Sequence, residues 1–152
     1  MTAKSIMNTS PIVLHLTDKV GAAADIIMEH RFRSIPVVDD DNRFIGMFSI
    51  NCLLKVVLPP AMVIEGGLRD VSFIQNGLSD LHKRFVVVEN ESVGICVNQD
   101  VTIVHPDTPL MESLFLLYNT QAALPVVEKD TRKLAGVISY WDVGRKVLDA
   151  EI

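Results

Sequence analysis

The sequence has few cysteines, few aromatics and little basic charge, and each shortage excludes something. Its two cysteines, Cys52 and Cys96, stand far apart and form neither a CxxC pair nor a zinc spacing. A disulfide-dense scaffold is excluded, a reducing cytoplasmic setting is the expectation, and a Cys52–Cys96 bridge has no support in the spacing. Aromatic residues make up 6% of the chain, with a single tryptophan, Trp141. Lys and Arg number 14 against 19 Asp and Glu, giving a net charge of −5. A nucleic-acid binder needs a basic face to neutralise phosphates, so that class is set aside. An anionic ligand would have to be held by a few local cations. No run of about 20 apolar residues is long enough for a bilayer. The best stretch, Phe44 to Ile64, is interrupted by Lys55 and Pro59-Pro60, so no membrane insertion is expected. Residues 1–10 contain no apolar core of signal-peptide length.

The signatures of catalysis are missing too. There is no Walker loop, no G-x-S-x-G and no G-x-G-x-x-G. His15, His30, His82 and His105 show no ligand spacing, so no metal and no catalytic cofactor are expected. The expectation is a protein that is not an enzyme.

What the chain does have is apolar content and a repeat. Of its 152 residues, 49% are hydrophobic, enough for a packed interior. Mean hydropathy is +0.30, which points to a large buried fraction or to an apolar face covered by a partner subunit, and a homodimer is expected. Ile35-Pro36-Val37-Val38 recurs as Leu124-Pro125-Val126-Val127. A charged stretch follows each copy, and an apolar-Gly-apolar run ending in serine follows that: Phe44 to Ser49, then Leu134 to Ser139. Asp18 and Asp107 match upstream at the same spacing. The one-residue difference falls in the charged turn, where insertions are tolerated. Two copies make a pseudo-twofold pair, not a solenoid.

Each copy reads β-α-β-β-α. Ile12 to Leu16 and Val101 to His105 are short β-rich runs. Val20 to Glu29 carries apolar residues at helical spacing after a Thr17-Asp18 start, and Leu110, Leu114, Leu117 and Tyr118 do the same in the second copy. Two strands joined by a charged turn follow, then closing helices over Ile50 to Leu58 and Trp141 to Ala150. Residues 1–58 form the first repeat, 95–152 the second, and 59–94 an inter-repeat segment. In that segment Leu78 to Phe85 reads as a short helix and Phe85 to Glu89 as an extended run.

The ordered set resembles the CBS domain, named for cystathionine β-synthase, and the tandem pair resembles a Bateman module. The residues that carry the likeness are Ile6-Met7, Asp18, Ile35 to Val38, Gly46 and Ser49, then Asp107, Leu124 to Val127, Gly136, Ser139 and Asp142. The resemblance implies an α/β (α+β) fold of two repeats packed sheet to sheet, with clefts between them that take adenosine-containing ligands.

The copies differ where chemistry would sit. The second reads Ser139-Tyr140-Trp141-Asp142, the first Ser49-Ile50-Asn51-Cys52. A carboxylate offers two acceptors to a ribose diol, which a thiol cannot match. The resemblance makes Asp142, with Ser139, the ribose contact. It also makes Arg33 and Arg31 phosphate ligands for the nucleotide held by the other copy, where arginine's planar fork suits the anion. Val101, Ile103 and Pro125 would support the base. Ser49, Cys52, Ala122 and Ala123 would mark a degenerate second cleft. Plainer readings stay open: Ser139 and Asp142 as helix caps, the arginines as solvated charges.

The resulting expectation is a regulatory module that binds AMP, ADP or ATP between its repeats and signals to a protein partner by a shift in conformation. The alternatives are a dimerising interaction subunit with no ligand, or a binder of S-adenosylmethionine or a dinucleotide.

Overall fold

The computed structural model describes residues 1–64 and 74–150. The first repeat contains β1 (Leu14–His15), α1 (Val20–His30), β2 (Ser34–Val38), β3 (Phe44–Ser49) and α2 (Ile50–Val57). Between the repeats lie α3 (Pro60–Val63) and α4 (Leu78–Val88). The second repeat contains α5 (Leu110–Thr120), β4 (Leu124–Val127), β5 (Leu134–Ile138) and α6 (Tyr140–Leu148). The architecture is α+β.

β1 runs parallel to β2, and β2 antiparallel to β3. β4 pairs antiparallel with β5. The strand expected over Val101 to His105 shrinks to one parallel bridge, Val104 to Val126, at the place Leu14 and Val37 occupy in the first repeat. The α1 start differs as well. Its N-cap is Lys19, and Asp18 instead accepts a hydrogen bond from the His15 N–H. The run Phe85 to Glu89, expected as extended, is helical through Val88. α4 lies against α2 and Phe85 packs on the first repeat's core, so packing overrides the β-branched propensity of Val86 to Val88.

The two β-hairpins meet at their turns. The Phe44 N–H donates to the Arg132 carbonyl at 2.9 Å and the Leu134 N–H to the Asn42 carbonyl at 3.0 Å. Val38, Phe44 and Met47 bury against Val127 and Leu134 there, with Val13, Val101 and Ile103 around them.

A second joint is less obvious from sequence. The arm that leads each repeat packs into the opposite one. Ala3 and Ile6 belong to the second repeat's core, with Val104, Leu117, Leu124 and Ile138. Val93 and Cys96 belong to the first repeat's core, with Leu14, Ile27 and Phe48. Asn8 exchanges backbone hydrogen bonds with Val137, and Asn98 with Met47. Glycine is required at both crossings. A Cβ on Gly46 would collide with the Asn98 carbonyl, and one on Gly136 with the Asn8 carbonyl. The three blocks read from the sequence as 1–58, 59–94 and 95–152 are therefore interlocked by their leading arms.

Candidate functional site

The arm exchange builds a cavity of about 220 Å³. Four segments line it: the first arm (Asn8, Pro11, Ile12), the α1–β2 junction (His30 to Ser34, with Pro36), the α5–β4 junction (Gln121 to Ala123), and the end of β5 with the start of α6 (Val137, Ser139 to Asp142).

Each junction has a local cause. α1 ends as Arg31 turns left-handed, with φ 55°, and its N–H closes onto the Ile27 carbonyl. Gln121 ends α5 the same way, with φ 53°. Such caps favour glycine, because a Cβ crowds the following carbonyl. On either side of Arg31 the rings of His30 and Phe32 stack at 5.0 Å and 8°. Arg31 and Arg33 are exposed, and among the described residues neither makes a salt bridge.

On the opposite side Ser139 caps α6. Its Oγ accepts from the Asp142 N–H at 3.2 Å and donates to Asp142 Oδ2 at 2.8 Å. Asp142 is half-buried, and Oδ2 is the oxygen engaged by Ser139. The carboxylate thus belongs to the cap and also stands on the cavity wall. Tyr140 turns its hydroxyl to the Leu117 carbonyl at 2.8 Å. Trp141 stays 87% exposed at the cavity rim.

The structure brings Arg31, Arg33, Ser139 and Asp142 onto one cavity and separates them from other expected residues. Val101 and Ile103 lie instead against the core between the hairpins. Pro125 is buried in β4 opposite Val137. The apolar wall is Pro11, Ile12, Pro36 and Val137. Pro11, Ile12 and Pro36 are the expected kinds of residue taken from the other copy, and Val137 comes from the strand paired with Pro125. Ala122 and Ala123, expected at a separate cleft, line this cavity too.

Cys52 does not face a cleft. It is buried at the third position of α2, where Ser49 caps the helix much as Ser139 caps α6. The Ser49 N–H donates to Cys52 Sγ at 3.3 Å, and Sγ contacts the Cys96 carbonyl oxygen at 2.9 Å. Hydrogen bonding from Cys96 and Ser49 holds the Cys52 thiol below the ordinary thiol range, against the opposing effect of burial. The same pairing, with burial, pushes Cys96 up.

The cavity therefore offers a carboxylate, two guanidinium groups, a helix N-terminus, a stacked ring pair and an apolar wall. That set can hold a molecule with a diol, a flat ring and an anionic group. Among the described residues no cluster of His, Cys, Asp and Glu could hold a metal, and no helix is long and apolar enough to cross a membrane.

Comparisons place this geometry among known proteins. The chain resembles the AcuB protein of Vibrio cholerae, with a TM-score of 0.73 and 21% identity over 98% of this chain and 91% of that one. It also resembles CBSX2 of Arabidopsis thaliana, solved in complex with AMP, with a TM-score of 0.69 and 23% identity over 97% and 96% of the two chains. A third likeness is to the CBS domain pair of protein MJ0100, solved with 5'-methylthioadenosine and S-adenosyl-L-methionine (TM-score 0.61, 18% identity, 97% and 99% covered). In sequence it is 25% identical over 144 residues to an A-adding tRNA nucleotidyltransferase of Aquifex aeolicus, spanning 94% of this chain but 14% of that protein. The CBS-domain family model matches residues 3–59 and again 92–149. Two matched copies, on a fold shared with other CBS pairs, make this chain a member of the CBS-domain family.

Proposed function

We propose that the chain is a regulatory module that binds an adenine nucleotide, AMP, ADP or ATP, in the cavity between its repeats. The observation that supports this reading most is one of placement. Arg31 and Arg33, from the first repeat, share a single cavity with Ser139 and Asp142, from the second. In the proposed complex Asp142 accepts the ribose hydroxyls and the arginines hold phosphate. The base rests among Pro11, Ile12, Pro36 and Val137. Ligand spanning both repeats favours one relative arrangement of them, and a partner polypeptide reads that arrangement. Solved CBS pairs that hold AMP, S-adenosylmethionine or methylthioadenosine support an adenosine-containing ligand. The proposed protein is not itself an enzyme. It pairs with a second copy through exposed apolar residues such as Met111, Phe115 and Tyr118 on α5.

The sole tryptophan lies on the cavity rim, so its fluorescence reports occupancy. Titration with AMP, ADP, ATP and S-adenosylmethionine is expected to quench it, saturating near one ligand per chain. Asp142→Ala should abolish the response. Arg33→Ala should weaken phosphate-bearing ligands by about tenfold or more, the range of a charge-assisted hydrogen bond, and leave adenosine unchanged. Equal loss for adenosine and AMP would remove the phosphate assignment. Silence with every ligand, checked by calorimetry, would overturn the sensing role in favour of an interaction subunit. A monomer in sedimentation at micromolar concentration would remove the dimer.

A further inference from the structure

The chain has two cysteines, 44 positions apart, and the fold brings both to one contact. Cys52 Sγ lies 2.9 Å from the Cys96 carbonyl oxygen, and both residues are more than nine-tenths buried in the first repeat's core. The fold does not require sulfur there. In the second repeat the same two places hold Asp142 and Ile6, an acid and an aliphatic. The cysteines thus occupy facing positions, one on each side of the joint where the second arm enters the first repeat.

We propose that Cys52 and Cys96 form a reversible intramolecular disulfide, a modification site that fastens the arm of residues 92–98 to the start of α2. Cys52 is suited to attack. It sits in the first turn of a helix, where backbone N–H groups favour a thiolate, and it accepts hydrogen bonds from the Ser49 N–H and hydroxyl at 3.3 and 3.6 Å, which oppose the repulsion an anion would meet from the Cys96 carbonyl. Its lowered pKa, set against the raised one of Cys96, is consistent with that division of labour. Cys96 also borders a second cavity of about 350 Å³ between α2, α3 and α4, so a small oxidant has space on the Cys96 side of the joint.

The oxidant class is a hydroperoxide, and the steps balance with hydrogen peroxide. The Cys52 thiolate attacks one oxygen, an S–O bond forms, the O–O bond breaks, and the departing hydroxide leaves as water after protonation. The Cys96 sulfur then attacks the Cys52 sulfenic acid. The S–S bond forms, the S–O bond breaks, and the second oxygen leaves as water with the Cys96 proton. Two thiols are oxidised and one peroxide is reduced to two waters. A dithiol reductant reverses the change.

The test is intact-mass and non-reducing peptide analysis of the folded chain before and after hydrogen peroxide. The expected result is loss of two hydrogens, with the Cys52 and Cys96 peptides linked, a raised thermal midpoint, and full reversal by dithiothreitol. Cys96→Val should yield a Cys52 sulfenic acid that dimedone traps, and no cross-link. Gain of oxygen without a cross-link in the wild-type chain would overturn the proposal. So would chains joined to one another, or folded protein inert to peroxide. The wild-type result decides this even if the variant does not fold, and it is independent of nucleotide binding.

Discussion

The two repeats share a backbone plan but put different chemistry at its key points. Where α6 begins, Ser139 caps a helix whose third residue is an acid on a cavity wall. Where α2 begins, Ser49 caps a helix whose third residue is a thiol turned into the core. Where α1 ends, the chain carries Arg31, Phe32 and Arg33. Where α5 ends, it carries Gln121, Ala122 and Ala123. Both junctions reach the same cavity. The lesson is that duplicated geometry does not imply duplicated chemistry. One carboxylate and one pair of arginines concentrate the cavity's charge, while the matching places in the other copy supply packing and cap hydrogen bonds.

The comparison breaks hardest at the third position of each closing helix. Cys52→Asp would bury a carboxylate against the Cys96 carbonyl, an acceptor facing an acceptor. It should destabilise the fold by about 3 kcal/mol or more, lowering the thermal midpoint by roughly 6–12 °C. The reciprocal Asp142→Cys loses only cap interactions and should cost about 1 kcal/mol. Equal losses in a calorimetric melt would mean that the two positions are environmentally alike.

Next come the crossings. Gly46→Ala and Gly136→Ala each drive a methyl into a backbone carbonyl, and each should cost about 1–3 kcal/mol. Chemical denaturation would show whether the two joints are of similar strength, as their matching geometry requires. A loss confined to one of them would make the exchange one-sided.

Smaller and opposite in sign is the response at the left-handed caps. Arg31→Gly and Gln121→Gly should each raise stability by about 1 kcal/mol, by removing a Cβ from a conformation it disfavours. Only Arg31→Gly should weaken AMP binding at the same time. If both changes leave affinity untouched, Arg31 is a solvated charge.

The smallest contrast lies in the turns. Asp39 accepts from the N–H groups of Asp41 and Arg43, each at 2.9 Å. The Arg43 N–H in particular holds its carboxyl below the usual 3.8. Glu128, at the matching turn, accepts from the Thr131 hydroxyl. Because the Asp39 value is depressed in the folded state, its contribution is complete above the unfolded value and fades as pH falls through the folded one. Asp39→Asn should therefore lower the midpoint slightly at neutral pH and leave it unchanged in strong acid. Glu128→Gln should do less. A wild-type minus Asp39→Asn difference that persists below pH 3 would count against the assignment.

Much of this was legible from the chain because repetition is a local signal. The pairing of Ile35 to Val38 with Phe44 to Ser49, and its second copy, follows from matched runs around a charged turn. The helices from Val20 and Leu110 follow from apolar spacing. The candidate site was legible in its polar half, since Asp142 and Arg33 stand out as differences between otherwise matching copies. The cavity's apolar wall is Pro11, Ile12, Pro36 and Val137 rather than the expected Val101, Ile103 and Pro125. Periodicity tells which residues are buried but not which copy buries them. The Ile6-Met7-Asn8 and Cys96-Val97-Asn98 segments match, and neither states that it crosses over. The inward turn of Cys52 was hidden for the same reason: its partner, Cys96, arrives on the exchanged arm.

The crossed arms also bear on how such a chain could have arisen. A single repeat with its own leading arm cannot close its core, because the arm that fills Leu14, Ile27 and Phe48 is the one carrying Val93 and Cys96. Its remedy is a second molecule, each lending its arm to the other, and that association weakens on dilution. Duplication in tandem replaces the second molecule with a tethered neighbour, whose effective concentration no longer depends on how much protein is present. Once joined, the copies were free to diverge, since each cap and each junction could change without its twin.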